Sequence, residues 1–266
     1  MASLECSIKP LVELNQSNGI SRLLLNDPTK RNALSKGMLS CLIKALNKIK
    51  DDERQKVVVI RGAEGVFSSG ADLQWMQEGL NQTKEQNLAD ANLFYEAFEL
   101  LNNFPKPVII WVERYAMGGA LGLLATADYV VSDKDARMAF SEVKLGLVPA
   151  TIAPFVINKI GNSHARALML SAASFTAKKA RQIGLVHEIM ASKDIPARID
   201  ELCEAFKGNG PQAMATTKQL INQMSQVSLS QNKETCTSAI AEARSSAEGV
   251  EGVKAFFEKR LAEWNK

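Results

Sequence analysis

The chain has 266 residues, of which 46% are hydrophobic, and a formal net charge of +3. This length and composition suit one large α/β unit, or such a unit with an appendage, and supply enough apolar residues for a sizeable core. The small net charge gives no indication of nucleic-acid binding, and no apolar run is long enough to cross a bilayer.

The first predicted elements are a helix and three buried strands. LSKGMLSCLIKALNKIKDD, from Leu34, repeats apolar residues with a period of 3.6 and predicts an amphipathic helix. KVVVIRG from Lys56, KPVIIWVE from Lys106 and ADYVVS from Ala127 are β-branched and unalternating. Such runs are typical of parallel strands covered on both faces. A helical pattern between the first two strands ends at Pro105.

Beyond Pro149 the predicted elements are helices. TIAPFVINKIG and SHARALMLSAASF predict two that meet at Gly161, and TAKKARQIG predicts a third with Thr176 as its N-cap and Gly184 at its end. We therefore predict an α/β core over residues 1–195 and a C-terminal helical region over residues 196–266. The second region is expected to pack on the core, on a neighbouring subunit, or on both.

Two glycine-containing turns follow the first two strands. One reaches a predicted helix start at Gly70 and Ala71, with Asp72 as a possible cap, and the other reaches a helix start at Gly118 and Gly119. N–H groups are unpaired at such positions, so two turns at one end of adjacent strands predict a backbone oxyanion hole. The alternative is that the small residues only allow close helix packing. Neither turn carries a dinucleotide or P-loop fingerprint.

Glu142 is the candidate catalytic acid. An extended RMAFSEVKLGLVPA segment places Phe140, Glu142 and Lys144 on one face. Flanking apolar residues partly desolvate the carboxyl group, which raises its pKa and suits it to proton transfer. The alternative is an ordinary surface glutamate beside a lysine.

Histidine and cysteine contribute no predicted chemistry. The two histidines, His164 and His187, lie in apolar periodic stretches, which predicts structural roles. The four cysteines have no paired spacing: Cys6, Cys41, Cys203 and Cys236. We therefore expect no metal site and a reducing, cytoplasmic location, and we see no secretory signal at the N-terminus.

Four motifs together carry a family resemblance. FSSGADL, YAMGGALGL, AFSEVKLGLVP and KKARQIGLVHEI occur in the order and spacing of the crotonase, or enoyl-CoA hydratase/isomerase, superfamily, which the chain resembles over essentially its whole length. The resemblance is strongest to bacterial methylglutaconyl-CoA and carboxygeranoyl-CoA hydratases. It implies a crotonase spiral of β-β-α units with a C-terminal helical trimerisation region, assembled as a trimer or a dimer of trimers. It also implies an acyl-CoA substrate and no other cofactor.

The resemblance also implies roles for individual residues. The N–H groups of Ala71 and Gly119 hold the thioester oxygen, and Glu142 is the catalytic glutamate. The implied substrate and CoA contacts are Ala33, Ser69, Gly70, Asp72, Leu73, Gln74, Gly118, Lys254 and Lys259, the two lysines being placed to reach the nucleotide phosphates.

Gly122 departs from the pattern of many hydratases of this superfamily, which carry a second glutamate there. Hydration needs a water activated at C3 and a proton delivered to C2, whereas isomerisation of a 3-enoyl thioester needs one base. The resemblance implies that the hydratases this chain resembles most carry the same glycine. We therefore expect a hydratase of the methylglutaconyl-CoA type, with 3-enoyl-CoA to 2-enoyl-CoA isomerase as the alternative. Lys144 or Arg114 is expected to pair with a carboxylate on the acyl group.

A remote alternative is RNA binding through the first helix. Its polar side carries Lys36, Lys44, Lys48 and Lys50. Three acidic residues follow directly, and no aromatic residue that could stack on a base is interleaved. A solvated helix face is therefore expected instead, and nucleic acid is not an expected partner.

Overall fold

A computed structural model describes residues 10–224 and 232–265. The strands are β1 (Val12–Ser17), β2 (Ile20–Leu25), β3 (Val57–Gly62), β4 (Val108–Val112), β5 (Tyr115–Met117), β6 (Tyr129–Asp133), β7 (Arg137–Ala139), β8 (Phe175–Thr176) and β9 (Glu188–Met190). The helices are α1 (Lys36–Lys50), α2 (Leu73–Gly79), α3 (Lys84–Asn102), α4 (Ala120–Thr126), α5 (Ala153–Ser171), α6 (Ala177–Gln182), α7 (Ile195–Lys207), α8 (Pro211–Met224), α9 (Asn232–Ser245) and α10 (Ala247–Glu258).

The main sheet has six strands in the order β1-β2-β3-β4-β6-β9. β1 and β2 form an antiparallel hairpin, and every later pair is parallel. The three buried strands predicted from the sequence are β3, β4 and β6, and they lie side by side. Because β3 and β4 are parallel, the turns that follow them both leave the sheet at the carboxyl ends of the strands.

Both faces of the main sheet are covered. Ile60 and Ile110 face a large core that includes buried residues of α1, α3, α4 and α5. Val59 and Ile109, one position away on the same strands, face a smaller cluster with Ile195 and other residues of α7. Side chains alternate across a strand, so burial on both faces requires the unbroken apolar runs of the sequence.

A second, small sheet joins β5, β7 and β8. The chain passes from β4 to β5 and then α4, and from β6 to β7 and then α5. Each unit thus contributes one strand to each sheet and then a helix. This is the spiral of β-β-α units that the family resemblance implied.

The helix boundaries after the sheets follow local signals. Gly161 has φ 75° and ψ 156° inside α5, so two helical segments meet at a kink there, as predicted. The Thr176 side chain accepts a hydrogen bond from Lys179 N and caps α6, also as predicted.

The described part of the chain beyond residue 195 contains helices and no strand. α7 packs on the main sheet, while α10 packs on α8 and α9. Near the end of the chain, the Trp264 carbonyl accepts a hydrogen bond from Lys56, which precedes β3, and Trp264 Nε1 donates to Gly208 O. The end of the chain therefore lies at the amino ends of the strands. The domain boundary at residue 195 stays a prediction.

Candidate active site

The first turn presents the N–H group of Ala71. Leu34 N donates to Gly70 O at 2.7 Å and Asp72 N donates to Leu34 O at 3.3 Å. Because both bonds that flank Ala71 go to Leu34, the N–H group of Ala71 points the other way. None of the described residues accepts a hydrogen bond from it. Gly70 has φ +89°, and a Cβ atom there would collide with the Met117 carbonyl, so only glycine fits.

The second turn presents the N–H group of Gly119 in the same way. Gly118 has φ +48°, and its N–H group donates to Ala139 O at 2.9 Å. The next residue, Gly119, is the N-cap of α4, and its N–H group has no acceptor within the described ranges. The two turns touch, since Met117 N donates to Ser68 O at 3.2 Å. Gly70 and Gly118 are buried, whereas Ala71 and Gly119 are half-buried. The two N–H groups without an acceptor, those of Ala71 and Gly119, therefore belong to the more accessible residues of the two turns.

The carboxyl group of Glu142 lies against the second turn. A Cβ atom on Gly118 would be 3.1 Å from Glu142 Oε1. Glu142 Oε2 is buried and has no hydrogen-bond partner among the described residues. Burial raises the pKa of Glu142, although a hydrogen bond with its own backbone partly opposes this. A half-buried carboxyl group with a raised pKa, beside two free N–H donors, can move a proton near a bound carbonyl group.

The predicted extended conformation around Glu142 is wrong. β7 ends at Ala139, because its partner β5 ends at Met117 where the chain turns into α4. Glu142–Leu145 then forms a 3₁₀ helix, which Gly146 ends at φ 70°. With three residues per turn, Glu142 and Lys144 do not share a face. Lys144 is exposed, so its predicted position beside the Glu142 carboxyl group is also wrong.

Gly122 lies in an apolar environment. A Cβ atom there would be 2.9 Å from two ring atoms of Phe98 and closer still to Ile152 Cγ2. The space beside Gly122 is therefore filled by hydrocarbon. This explains why the position carries no side chain, and a second carboxylate does not fit there without movement of its neighbours.

The predicted CoA-contacting residues of the first turn lie together around Ala71. Ala33 is buried, Ser69 is half-buried with its hydroxyl donating to Lys30 O, and Leu73 and Gln74 are exposed at the start of α2.

The Asp72 side chain is already committed to other groups. It accepts hydrogen bonds from Gln74 N and Trp75 N, as the N-cap prediction required, and it pairs with Lys30 Nζ at 2.8 Å. Burial opposes ionisation of Asp72, but the bond from Lys30 and the two N–H groups lower its pKa. This leaves only its backbone for contact with a ligand.

Lys254 and Lys259 are not brought to these turns within one chain. Lys254 lies on α10 and Lys259 directly after it, and α10 packs on α8 and α9 with Gly252 facing Trp264. That surface lies at the amino ends of the main-sheet strands, whereas the turns lie at the carboxyl ends.

The sequence left the aromatic residues near the turns without a role. Trp75 stacks on Phe94 with ring centroids 5.1 Å apart, and a Cβ atom on Gly119 would be 3.5 Å from Phe94 Cε1. The spacing of Phe94 and Phe98 on one face of α3 was the available signal, but it also fits an ordinary core. Phe140, in contrast, is fully buried against Phe175.

Of the remaining candidate groups, His187 has the structural role that the sequence predicted, whereas for His164 that role stays a prediction. His187 Nδ1 accepts a hydrogen bond from Val130 N, and burial followed by the nearby Lys159 charge lowers the His187 pKa to about 4. His164 is exposed. Cys41, Cys203 and Cys236 are free thiols, while Cys6 lies outside the described residues. Within the described ranges, no three His, Cys, Asp or Glu side chains are grouped to hold a metal ion.

Two further features lie away from the turns. A cavity of about 610 Å³ separates α8 from the α4–β6 connection, where Lys159 and Lys218 donate to backbone carbonyls at the ends of α4 and α3. Neither glycine turn lines this cavity. None of the described helices combines the length and the apolar character that a membrane span requires.

Comparison with known proteins shows the family of the chain. A family model described as enoyl-CoA hydratase/isomerase matches residues 15–266. The 2,3-dehydroadipyl-CoA hydratase of Escherichia coli is 32% identical, covering 91% of this chain and 93% of the relative. The mitochondrial methylglutaconyl-CoA hydratase of Mus musculus is 29% identical, covering 96% of this chain and 82% of the relative.

The solved structures agree on the fold. The crystal structure of an enoyl-CoA hydratase from Shewanella pealeana superposes with a TM-score of 0.92 at 37% identity, covering 95% of each chain. The fold predicted from the sequence motifs is confirmed by this similarity.

Proposed function

The chain belongs to the enoyl-CoA hydratase/isomerase family, and from this premise we propose that it adds water reversibly to the C2–C3 double bond of a 2-enoyl-CoA thioester. One observation carries the proposal: the carboxyl group of Glu142 lies against Gly118, beside the half-buried N–H groups of Ala71 and Gly119. Neither N–H group has an acceptor among the described residues, so both are available to a thioester oxygen.

The proposed chemistry divides between backbone and side chain. The thioester oxygen accepts hydrogen bonds from Ala71 N and Gly119 N, which stabilise the negative charge that develops there as an enolate. Glu142 takes a proton from a water molecule whose oxygen attacks C3. The same carboxyl group then returns a proton to C2, which restores the thioester carbonyl. Water is thus added with no net change at Glu142, and no second carboxylate is needed.

We propose an acyl group of the methylglutaconyl type. The resemblance of the motifs and the name of the mouse relative support this choice at 29% identity. The CoA portion is proposed to follow Ala33, Ser69, Gly70, Leu73 and Gln74, largely through backbone atoms, and coenzyme A is the only cofactor-like group required.

The second candidate is isomerisation of a 3-enoyl-CoA to a 2-enoyl-CoA. The apolar surroundings of Gly122 favour it, because a single base that removes a proton from C2 and returns it to C4 suffices. Separate incubations with crotonyl-CoA, 3-methylglutaconyl-CoA and a 3-enoyl-CoA distinguish the two. Formation of 3-hydroxyacyl-CoA products supports the hydratase. Conversion of the 3-enoyl-CoA alone, to a 2-enoyl-CoA that has gained no water, overturns the hydratase proposal.

The proposal includes a trimer or dimer of trimers in the cytoplasm. Analytical ultracentrifugation tests the assembly and cell fractionation tests the location. In such an assembly Lys254 and Lys259 are proposed to reach the CoA phosphates from a neighbouring subunit. Within one chain they lie at the amino ends of the main-sheet strands, whereas the two turns lie at the carboxyl ends.

A further inference from the structure

One half-buried aromatic ring, Phe94, lies beside Gly119, and a second half-buried ring, Trp75, stacks on it. Trp75 and Phe94 stack with an interplanar angle of 11°, and Phe94 lies within van der Waals distance of the position that a Cβ atom would take on Gly119. An acyl group whose thioester oxygen is held by Gly119 N therefore continues along these rings. We call Trp75 and Phe94 the acyl wall.

The far side of the acyl wall ends in a pair of charges. Trp75 Nε1 donates to Asp90 Oδ2 at 2.7 Å, and Lys36 Nζ lies 3.5 Å from Asp90 Oδ1. The Asp90 side chain is only 15% exposed, whereas that of Lys36 is 69% exposed. Asp90 thus fixes the orientation of the indole ring with one oxygen and holds a cation with the other. The exposed ammonium group keeps donors for a second anion.

Helix stability does not explain the position of Lys36. It is the first residue of α1, directly after the N-cap Ser35. The partial positive charge at a helix N-terminus disfavours a cation there. The β-bridge between Leu34 and Ala71 also brings the start of α1 beside the first N–H donor. Lys36 therefore lies where a bound acyl group can reach it.

The other cations of this region are less suitable. Lys30 is held by Asp72 and Gln74, and Lys144 is exposed on the 3₁₀ helix with its side chain on another face from Glu142. Arg114 precedes β5, at the end of that strand away from Gly118. Among these cations of the described chain, only Lys36 is tied to the acyl wall by a contact.

We propose that Lys36 recognises a carboxylate carried by the acyl group of the substrate, and that Asp90 is a positioning residue for both Lys36 and the Trp75 indole. This inference rests on the proposed function, because it concerns the acyl group of the same thioester. It assigns to Lys36 the role that the sequence suggested for Lys144 or Arg114.

Glutaconyl-CoA and crotonyl-CoA test the inference, because they differ by one terminal carboxylate. We expect Lys36→Ala to lower kcat/KM for glutaconyl-CoA about 10- to 100-fold more than for crotonyl-CoA, as for loss of a hydrogen bond between charged groups. Most of the change should lie in KM, and Lys36→Arg should restore most of the selectivity. Lys44→Ala, an exposed lysine on the same helix, is the matched control and should leave the ratio unchanged.

Asp90 provides an independent measurement. Asp90→Asn keeps an acceptor for the indole N–H but no longer offers a carboxylate oxygen to Lys36 Nζ, so Lys36 loses its anchor. We expect it to lower kcat/KM for glutaconyl-CoA severalfold relative to crotonyl-CoA, whereas Asp90→Ala also releases the indole and lowers both. If Asp90 had only a structural role, each variant would change kcat/KM for the two substrates by the same factor.

Several outcomes contradict the inference. It is wrong if Lys36→Ala leaves the ratio of the two substrates unchanged while the wild type hydrates crotonyl-CoA, and the proposed function then still stands. It is also wrong if Lys144→Ala or Arg114→Ala lowers the ratio more than Lys36→Ala does. If the wild type hydrates neither substrate nor 3-methylglutaconyl-CoA, the proposed function is wrong and the inference falls with it.

Discussion

Gly118 and Glu142 are in direct contact: the Glu142 carboxyl group occupies the space in which a side chain on Gly118 would lie, 3.1 Å from its Cβ position. The backbone of Gly118 also donates to Ala139, just ahead of the 3₁₀ helix that carries Glu142. One glycine thus shapes the turn that exposes Gly119 N and the space that holds the proposed base.

Replacing Gly118 with alanine should damage activity more than folding. Gly118→Ala places a Cβ atom against Glu142 Oε1 at a positive φ. The Glu142 carboxyl group must then shift by a few tenths of an ångström. Because displacement of a reacting group by about 1 Å can cost about 100-fold, we expect this smaller shift to lower kcat by about 10-fold. Gly184→Ala is the control, since Gly184 also has positive φ but its nearest neighbour is an ordinary 3.7 Å away. Equal kcat in the two variants would contradict the contact.

Removing the ionisable group of Glu142 should remove most of the turnover. We expect Glu142→Gln to lower kcat by about two to four orders of magnitude, the usual contribution of a positioned acid or base. Steady-state hydration of crotonyl-CoA measures the effect, and circular dichroism checks that the variant is folded. Near-native turnover would exclude Glu142 as the base.

The same variant should be more stable than the wild type at neutral pH. Burial raises the pKa of Glu142 above its ordinary value of 4.5, so ionisation costs the folded state free energy once the pH rises above the folded pKa. Glu142→Gln avoids this cost, and we expect it to resist urea better at pH 7.5. Below pH 4 the carboxyl group is protonated in both states, so the advantage should vanish. If the gain in stability of Glu142→Gln persists below pH 4, the raised pKa of Glu142 is not its cause.

Gly122→Ala should destabilise the fold by overpacking. The new methyl group would press on Phe98 and Ile152. We expect a loss of roughly 1–3 kcal/mol in the free energy of unfolding. In an Ile152→Ala background the same substitution should cost less, because the closest atom, Ile152 Cγ2, is removed. A double-mutant cycle by urea denaturation measures this coupling, and additive losses would show that Gly122 does not face Ile152.

His187 should make the protein less stable in mild acid. Its pKa is lowered from 6.5 to about 4, so the folded state favours the neutral ring and loses stability as pH falls from 6.5 towards 4. Allowing for partial exposure, we expect about 1–2 kcal/mol. His187→Asn keeps an acceptor for Val130 N without a titrating group. Urea denaturation at pH 7 and pH 4.5 should show a smaller loss for His187→Asn than for the wild type.

The features that could be predicted from the sequence are those that depend on neighbouring residues along the chain. The apolar runs of β3, β4 and β6, the caps at Thr176 and Asp72, and the kink at Gly161 are all local patterns. The motif order was also sufficient to identify the family. Such features are readable because side-chain periodicity and turn geometry repeat within a few residues.

The surroundings of the proposed reacting groups could not be predicted in this way, because they form when distant segments pack together. The segment from Glu142 to Lys144 became a 3₁₀ helix because β7 has only a three-residue partner in β5, which no pattern within the segment records. The apolar filling around Gly122 comes from α3 and the start of α5, and the acyl wall joins Trp75 to residues on α3. These contacts are made by residues far apart in sequence, so they depend on how helices and sheets pack rather than on local preference.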